Sequence, residues 1–138
     1  MDTYTKQNLR EVEDAAPKFG LDHIGEARFA RGDLDAERSG LSLQRLKPNM
    51  RQAFGHKHDG QEETYVVIAG SGRMKLGDEV VDVTALDAIR VAPDTIRCFE
   101  AGPDGLEFLA FGERPDPEQP EMIMGWWSEN GSGAGSDS

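Results

Sequence analysis

The sequence predicts an all-β domain, an antiparallel barrel or sandwich spanning about residues 24–111. Two observations carry this. Short runs of strand formers at 41–46, 63–69, 73–76, 79–83, 89–91, 97–100 and 106–111 are separated by turn residues: Gly70-Ser71-Gly72, Gly77-Asp78, Pro93-Asp94 and the loop 101–105. Helical periodicity is confined to residues 1–20, where Pro17 and Gly20 limit any helix to a turn or two. A chain of 138 residues is one domain with a small core, and antiparallel closure protects the sheet edges.

In chain order, residues 1–23 read as a short arm that packs through Leu9, Val12, Ala16 and Phe19. A strand starts near Ile24 and runs to Phe29. His23, at its edge, has no spaced partner and reads as a surface histidine. Residues 31–35 read as a loop; the Arg31-Gly32-Asp33 tripeptide carries no adhesive meaning in an acidic cytoplasmic protein. Residues 41–46 alternate, with Leu41, Leu43 and Arg45 on one face and Ser42, Gln44 and Leu46 on the other. Lys47-Pro48-Asn49 turns the chain into a strand over 51–58, whose one face carries Gln52, Phe54, His56 and His58. Beyond Phe111 the alternation stops. Residues 113–121 are Pro-rich, acidic and extended. Met122, Ile123, Met124, Trp126 and Trp127 form an apolar cluster. Docking on the barrel is its expected role, since two exposed tryptophans are a liability; a dimer surface or a lid is the alternative. The extension thus covers 112–131, and 132–138 has the composition of a flexible tail.

Charge and composition exclude several classes. The formal net charge of −11 argues against a nucleic-acid partner and against an anionic membrane. No apolar run approaches the roughly 18 residues of a spanning helix, and the N-terminal residues lack the apolar core of a secretory signal. Cys98 is the single cysteine, so no intrachain disulfide forms. A cytoplasmic protein fits all of this. No nucleophile triad, dinucleotide fingerprint or P-loop is present, and Gly70-Ser71-Gly72 reads as a turn because a strand follows it.

The chemistry concentrates at residues 54–70. His56 and His58, one residue apart on a strand, project two imidazoles to one face. An Asp59-Gly60 turn then brings back Glu62 and Glu63 at the head of the next strand. Two imidazoles and a carboxylate suit a divalent transition metal such as Mn, Fe, Ni or Zn.

At these residues the chain resembles the cupin superfamily, whose first motif is G-x5-H-x-H-x3–4-E-x6-G. His56, His58, Glu63 and Gly70 match it, Met50 replaces the first glycine, and the spacing selects Glu63 over Glu62. The resemblance implies an antiparallel double-stranded β-helix (jelly-roll) barrel over 24–111. It also implies a homodimer in which residues 1–20 could be exchanged between subunits. The second motif, G-x5-P-x-G-x2-H-x3-N, falls on Leu86, Ala92, Asp94, Arg97 and Ala101, none of which is the family residue. Arg97 stands where the family has its third histidine. A guanidinium has only donors and stays protonated, so it cannot ligate a metal.

Three consequences follow from Arg97. In the first, His56, His58 and Glu63 hold a metal as a facial triad, and Arg97 forks onto a substrate anion beside it. In the second no metal binds, Arg97 pairs with Glu63, and the histidines line a ligand pocket. In the third the cluster is structural. Tyr65, on the Glu63 face, and Phe54, on the histidine face, are expected either as ligand contacts or as barrel filling, as is Arg45 if Leu43 faces inward; Tyr65 is the first choice as a contact, for its hydroxyl. Phe99 shares the Arg97 face, and Cys98 points away as a core or interface thiol. The leading expectation is a metal-dependent enzyme or binder of a small anionic molecule, with oxygenase- or isomerase-type chemistry. The alternatives are a metal-free binding or sensing module without catalysis, and a structural homodimer with a vestigial pocket.

Overall fold

The alternating pattern builds a sheet that curls on itself. In the computed structural model, residues 3–58, 60–113, 121–127, 129–130 and 134–135 are described. Eight strands join in one antiparallel sheet: β1 (Gly25–Phe29), β2 (Ser39–Leu46), β3 (Phe54–Lys57), β4 (Glu63–Leu76), β5 (Glu79–Thr84), β6 (Ala88–Val91), β7 (Arg97–Glu113) and β8 (Glu121–Met124). The order is β1-β2-β7-β3-β8, and β4 pairs with β5, β6 and β7. β9 (Glu129–Asn130) and β10 (Ala134–Gly135) form a separate two-stranded pair. The fold class is therefore the expected one, all-β with a curled antiparallel barrel.

Two expected turns are absent. Gly70-Ser71-Gly72 lies inside β4, and residues 101–105 lie inside β7. The long strands bend rather than stop, and the β4–β7 register shifts between Val67 and Ala69 and again between Gly70 and Gly72. Gly70 shows why glycine is needed there. Its φ is +80°, and a Cβ would lie 2.1 Å from the carbonyl oxygen of Gly105 on β7. By contrast Gly77-Asp78 makes the expected two-residue hairpin turn, with Leu76 opposite Glu79.

The core fills the curl with aromatic side chains. Phe99 stacks on Phe108 with centroids 4.0 Å apart, and Tyr65 meets both edge-on at 5.1 and 5.9 Å. Val67, Met74, Leu106 and Leu46 close around them. On β2 the inward face carries Leu46 and Gln44, whose register partners Leu106 and Phe108 lie in this core. Leu43 and Arg45 face outward. Leu43 is nonetheless buried. The arm crosses the outer side of β1 and β2: Val12 and Ala16 are buried, Arg28 donates to the Val12 carbonyl, and Asp14 Oδ1 accepts from the Ala27 amide. Here the arm packs on its own barrel, with Phe19 left exposed.

Three smaller departures have local causes. Residues 31–34 form one helical turn, Arg31–Leu34, closed by Asp35 at φ +56°, not a loop. The strand expected over 51–58 is regular only at 54–57. On either side Gln52 and His58 are held by single backbone bonds, to Phe99 and Pro93, in place of a ladder. Leu86, at the position of the second motif's leading glycine, adopts φ +76° and is 81% exposed.

The chain end docks on the barrel. β8 extends the sheet beside β3, and Trp127 is buried beneath the Arg51 guanidinium, 4.3 Å from the ring centroid. Arg51 and Arg73 both pair with Glu100 at 2.7 Å, which anchors the clamp. The expected extended stretch at 113–121 falls mostly outside the described residues, as do Asp59 and most of the tail. No helix among the described residues is long and apolar enough to cross a membrane.

Candidate metal centre

The centre is assembled where β3, β4 and β7 meet. His56 lies on β3 between two partners, opposite Arg97 of β7 on one side and Met122 of β8 on the other. His58 follows the end of β3, and its amide donates to the Pro93 carbonyl at 2.7 Å, which ties it to the turn before β7. Glu63 opens β4 opposite Gly112 of β7. Glu62 points the other way, exposed and paired with Arg90 at 2.9 Å. Strand alternation thus selects the carboxylate that motif spacing selected.

The donor atoms converge. His58 Nε2 is 3.2 Å and His56 Nε2 3.7 Å from Glu63 Oε1, and the three ligand atoms lie within 4.8 Å of one another. Metal–ligand bonds of about 2.1 Å place adjacent donors about 3.0 Å apart at right angles and about 3.4 Å apart tetrahedrally. The two Glu63 distances fall close to that range. Among the described residues this is the one group of three or more such donors.

Electrostatics favour the ligating protonation states. Burial pushes the His56 pKa down, which keeps the imidazole neutral and its lone pair available. Burial pushes the Glu63 carboxyl up, but His56, His58 and the Tyr65 hydroxyl outweigh it and hold it well below the usual carboxylate range. Tyr65 donates to Glu63 Oε1 and lies 3.3 Å from His56 Nε2.

Arg97 is placed behind this cluster. Its side chain is fully buried and does not line the cavity in front of the donors. Nη1 donates to the Thr95 carbonyl at 2.7 Å and the Pro93 carbonyl at 3.3 Å, Nε donates to the Tyr65 hydroxyl at 3.2 Å, and Nη2 stands 3.7 Å from Glu63 Oε1. This geometry braces Glu63 and offers no fork to a substrate. Arg45 is also apart from the cluster. It sits at the cavity's outer rim, half exposed, and pairs with Glu26 at 2.9 Å. The condition set for it, an inward Leu43, is not met.

His56, His58, Glu63, Tyr65 and Phe54 do share one cavity of about 570 Å³. It has further lining that the sequence reading did not assign to a site: Gln44, Gln61, Met122 and Met124. Gln44 shared the β2 face with Leu46, and Met122 and Met124 alternate along β8, so both signals were present in the sequence. Gln61 has no such pattern. Cys98 is fully buried away from the cavity, and burial pushes its thiol up to about 12.

No family model and no curated protein matches this sequence. Solved structures share its fold. A cupin protein from Bacteroides fragilis aligns with a TM-score of 0.67 at 22% identity, over 86% of this chain and 92% of that one. Oxalate decarboxylase from Bacillus subtilis aligns at 0.68 and 23% identity, over 82% of this chain and 30% of the enzyme. A deletion variant of that enzyme aligns at 0.72 and 21% identity, over 90% and 32%. The chain thus spans about a third of the decarboxylase's length.

Proposed function

We propose, with the cupin fold of this chain as the premise, that it is a metal-dependent protein acting on or binding a small molecule at His56, His58 and Glu63. The observation that carries this is the convergence of two imidazole nitrogens and one carboxylate oxygen within 4.8 Å on the wall of a cavity. His56, His58 and Glu63 would hold the ion. Three protein donors leave coordination positions open to substrate, the pattern of catalytic rather than structural sites. When bound, such an ion supplies Lewis-acid polarisation of a ligated oxygen. In this reading Arg97 is a positioning residue that orients Glu63 through Tyr65 and through its own charge. Oxygenase- or isomerase-type chemistry remains the class to test.

A second reading, a metal-free binding or sensing module, is favoured by one observation. The Glu63 carboxylate has protein partners for its charge: Oε1 accepts from Tyr65 and stands 3.2 Å from His58 Nε2 and 3.7 Å from Arg97 Nη2. Elemental analysis of untagged protein against a His56→Ala/His58→Ala variant separates the two. Near-stoichiometric Mn, Fe, Ni or Zn that vanishes in the variant supports the metal reading. No metal after reconstitution, with ligand-induced thermal shifts intact, supports the second. We also take the chain to be a cytoplasmic homodimer. The exposure of Tyr4, Val80 and Phe111 in the single chain supports association; a monomer in light scattering would count against it.

A further inference from the structure

The cavity in front of the donors is far larger than a small anion needs, and its walls have the wrong chemistry for one. Its volume is about 570 Å³, and a cavity of about 150 Å³ already encloses a benzene ring. Phe54, Met122 and Met124 form one side; Leu21, Ile24 and Phe29 contribute to the remainder. Much of the polar lining is self-satisfied: Gln52 Nε2 donates to Gln44 Oε1, Gln44 Nε2 donates to Ser42 Oγ, and Gln52 Oε1 accepts the Phe99 amide. The cations near the cavity are mostly engaged. Arg97 is enclosed behind Tyr65 and Glu63, Arg45 is paired with Glu26, and Arg31 donates Nη2 to the Glu37 carbonyl, which leaves its buried Nε without a hydrogen-bond partner among the described residues.

We infer that the ligand of this site is amphipathic: an apolar body of about two fused rings, carrying an oxygen-donor head that reaches the His56–His58–Glu63 cluster. The inference rests on the proposed metal site for the head and on the cavity alone for the body. Apolar walls contribute affinity in proportion to the area they cover. The two methionines of β8 are unbranched and adapt to the outline of such a body. A two-carbon dianion would leave most of the cavity unfilled and its apolar walls uncovered.

The test uses full-length protein reconstituted with Zn²⁺, which is redox-inert toward diols, and titrates three probes calorimetrically: oxalate, catechol and 2,3-dihydroxynaphthalene. The two diols share one chelating head and differ by one ring. The expected result is that 2,3-dihydroxynaphthalene binds at least tenfold more tightly than catechol, and more tightly than oxalate. Ala27→Phe, which fills the cavity from β1, should lower affinity for the naphthalenediol at least tenfold and leave metal content and oxalate binding unchanged. Equal affinity for the two diols, or oxalate as the tightest probe, would overturn the inference while leaving the metal site standing. Tight binding of the naphthalenediol to protein that takes up no metal would support the apolar body and overturn the metal site.

Discussion

Arg97 is the position where this chain departs most from the motif it resembles, and Arg97→Met is the perturbation that tests its role. The replacement keeps most of the volume and removes every donor. The Thr95 carbonyl, 2.7 Å from Nη1, loses its partner, whereas the Pro93 carbonyl, 3.3 Å away, keeps the His58 amide; an orphaned buried acceptor costs about 1–3 kcal/mol. Glu63 loses the charge 3.7 Å from Oε1. Breaking a buried ion pair costs about 3–5 kcal/mol, and the lower end applies because His58 and Tyr65 stay beside the carboxylate. The methionine side chain returns about 1–2 kcal/mol through apolar burial. The net loss is about 3 kcal/mol in metal-free protein. With a urea slope of about 2 kcal/mol/M, the unfolding midpoint should fall by about 1.5 M. The variant retains His56, His58 and Glu63, so it should still take up metal, and a hundredfold excess of metal over Kd should restore about 2.7 kcal/mol. A midpoint shift below about 0.5 M, equivalent to about 1 kcal/mol at the same slope, would refute the account of Arg97 as the brace of Glu63. Loss of metal uptake would count against the three-donor site itself.

Other consequences can be checked independently. Because Glu63 has a folded pKa below its unfolded value of about 4.3, its stabilisation is present above that value and fades as pH falls toward the folded one. Metal-free wild type should therefore lose more urea stability than Glu63→Gln between about pH 4.5 and about pH 3; equal slopes would contradict this. Leu86→Gly should raise stability by about 0.5–1 kcal/mol, a Tm gain of about 2–4 °C, because it relieves a left-handed leucine worth about 1–2 kcal/mol and gives back part as unfolded-state freedom. A lower Tm would show that the Leu86 side chain has a contact of its own. The Cys98 thiol, fully buried and pushed up to about 12, should resist Ellman's reagent at about pH 8 in native protein and react on unfolding in urea. Reaction in the native state would mean that this part of the core opens.

Much of the fold was legible because period-2 alternation survives wherever a strand has one buried face. Residues 41–46 and 79–83 were placed to within a residue or two on that basis. The two missed strand continuations came from glycine. Gly70-Ser71-Gly72 and the Gly102–Gly105 stretch carry turn chemistry, yet both lie inside continuous strands. Glycine marks a close approach of two backbones as readily as a reversal, and local sequence does not distinguish them. Leu86 illustrates the converse. A position that needs a left-handed backbone is filled by a residue that advertises no such need.

The sequence alone determined the donor set. Two histidines at i and i+2 share a strand face by geometry, and the spacing to Glu63 selected the carboxylate that the structure turns inward while Glu62 pairs with Arg90. It also determined the all-β class, since alternation and turn residues are local properties. Tertiary structure decided what surrounds the donors. Whether Arg97 faced the ligand or stood behind Glu63 depended on where β7 lies against β3 and β4, and no local pattern encodes that packing. The same is true of the cavity's character. Its walls come from the N-terminal arm and from β1, β2, β3, β4, β7 and β8, and a largely apolar cavity is a property of their assembly and of no one of them.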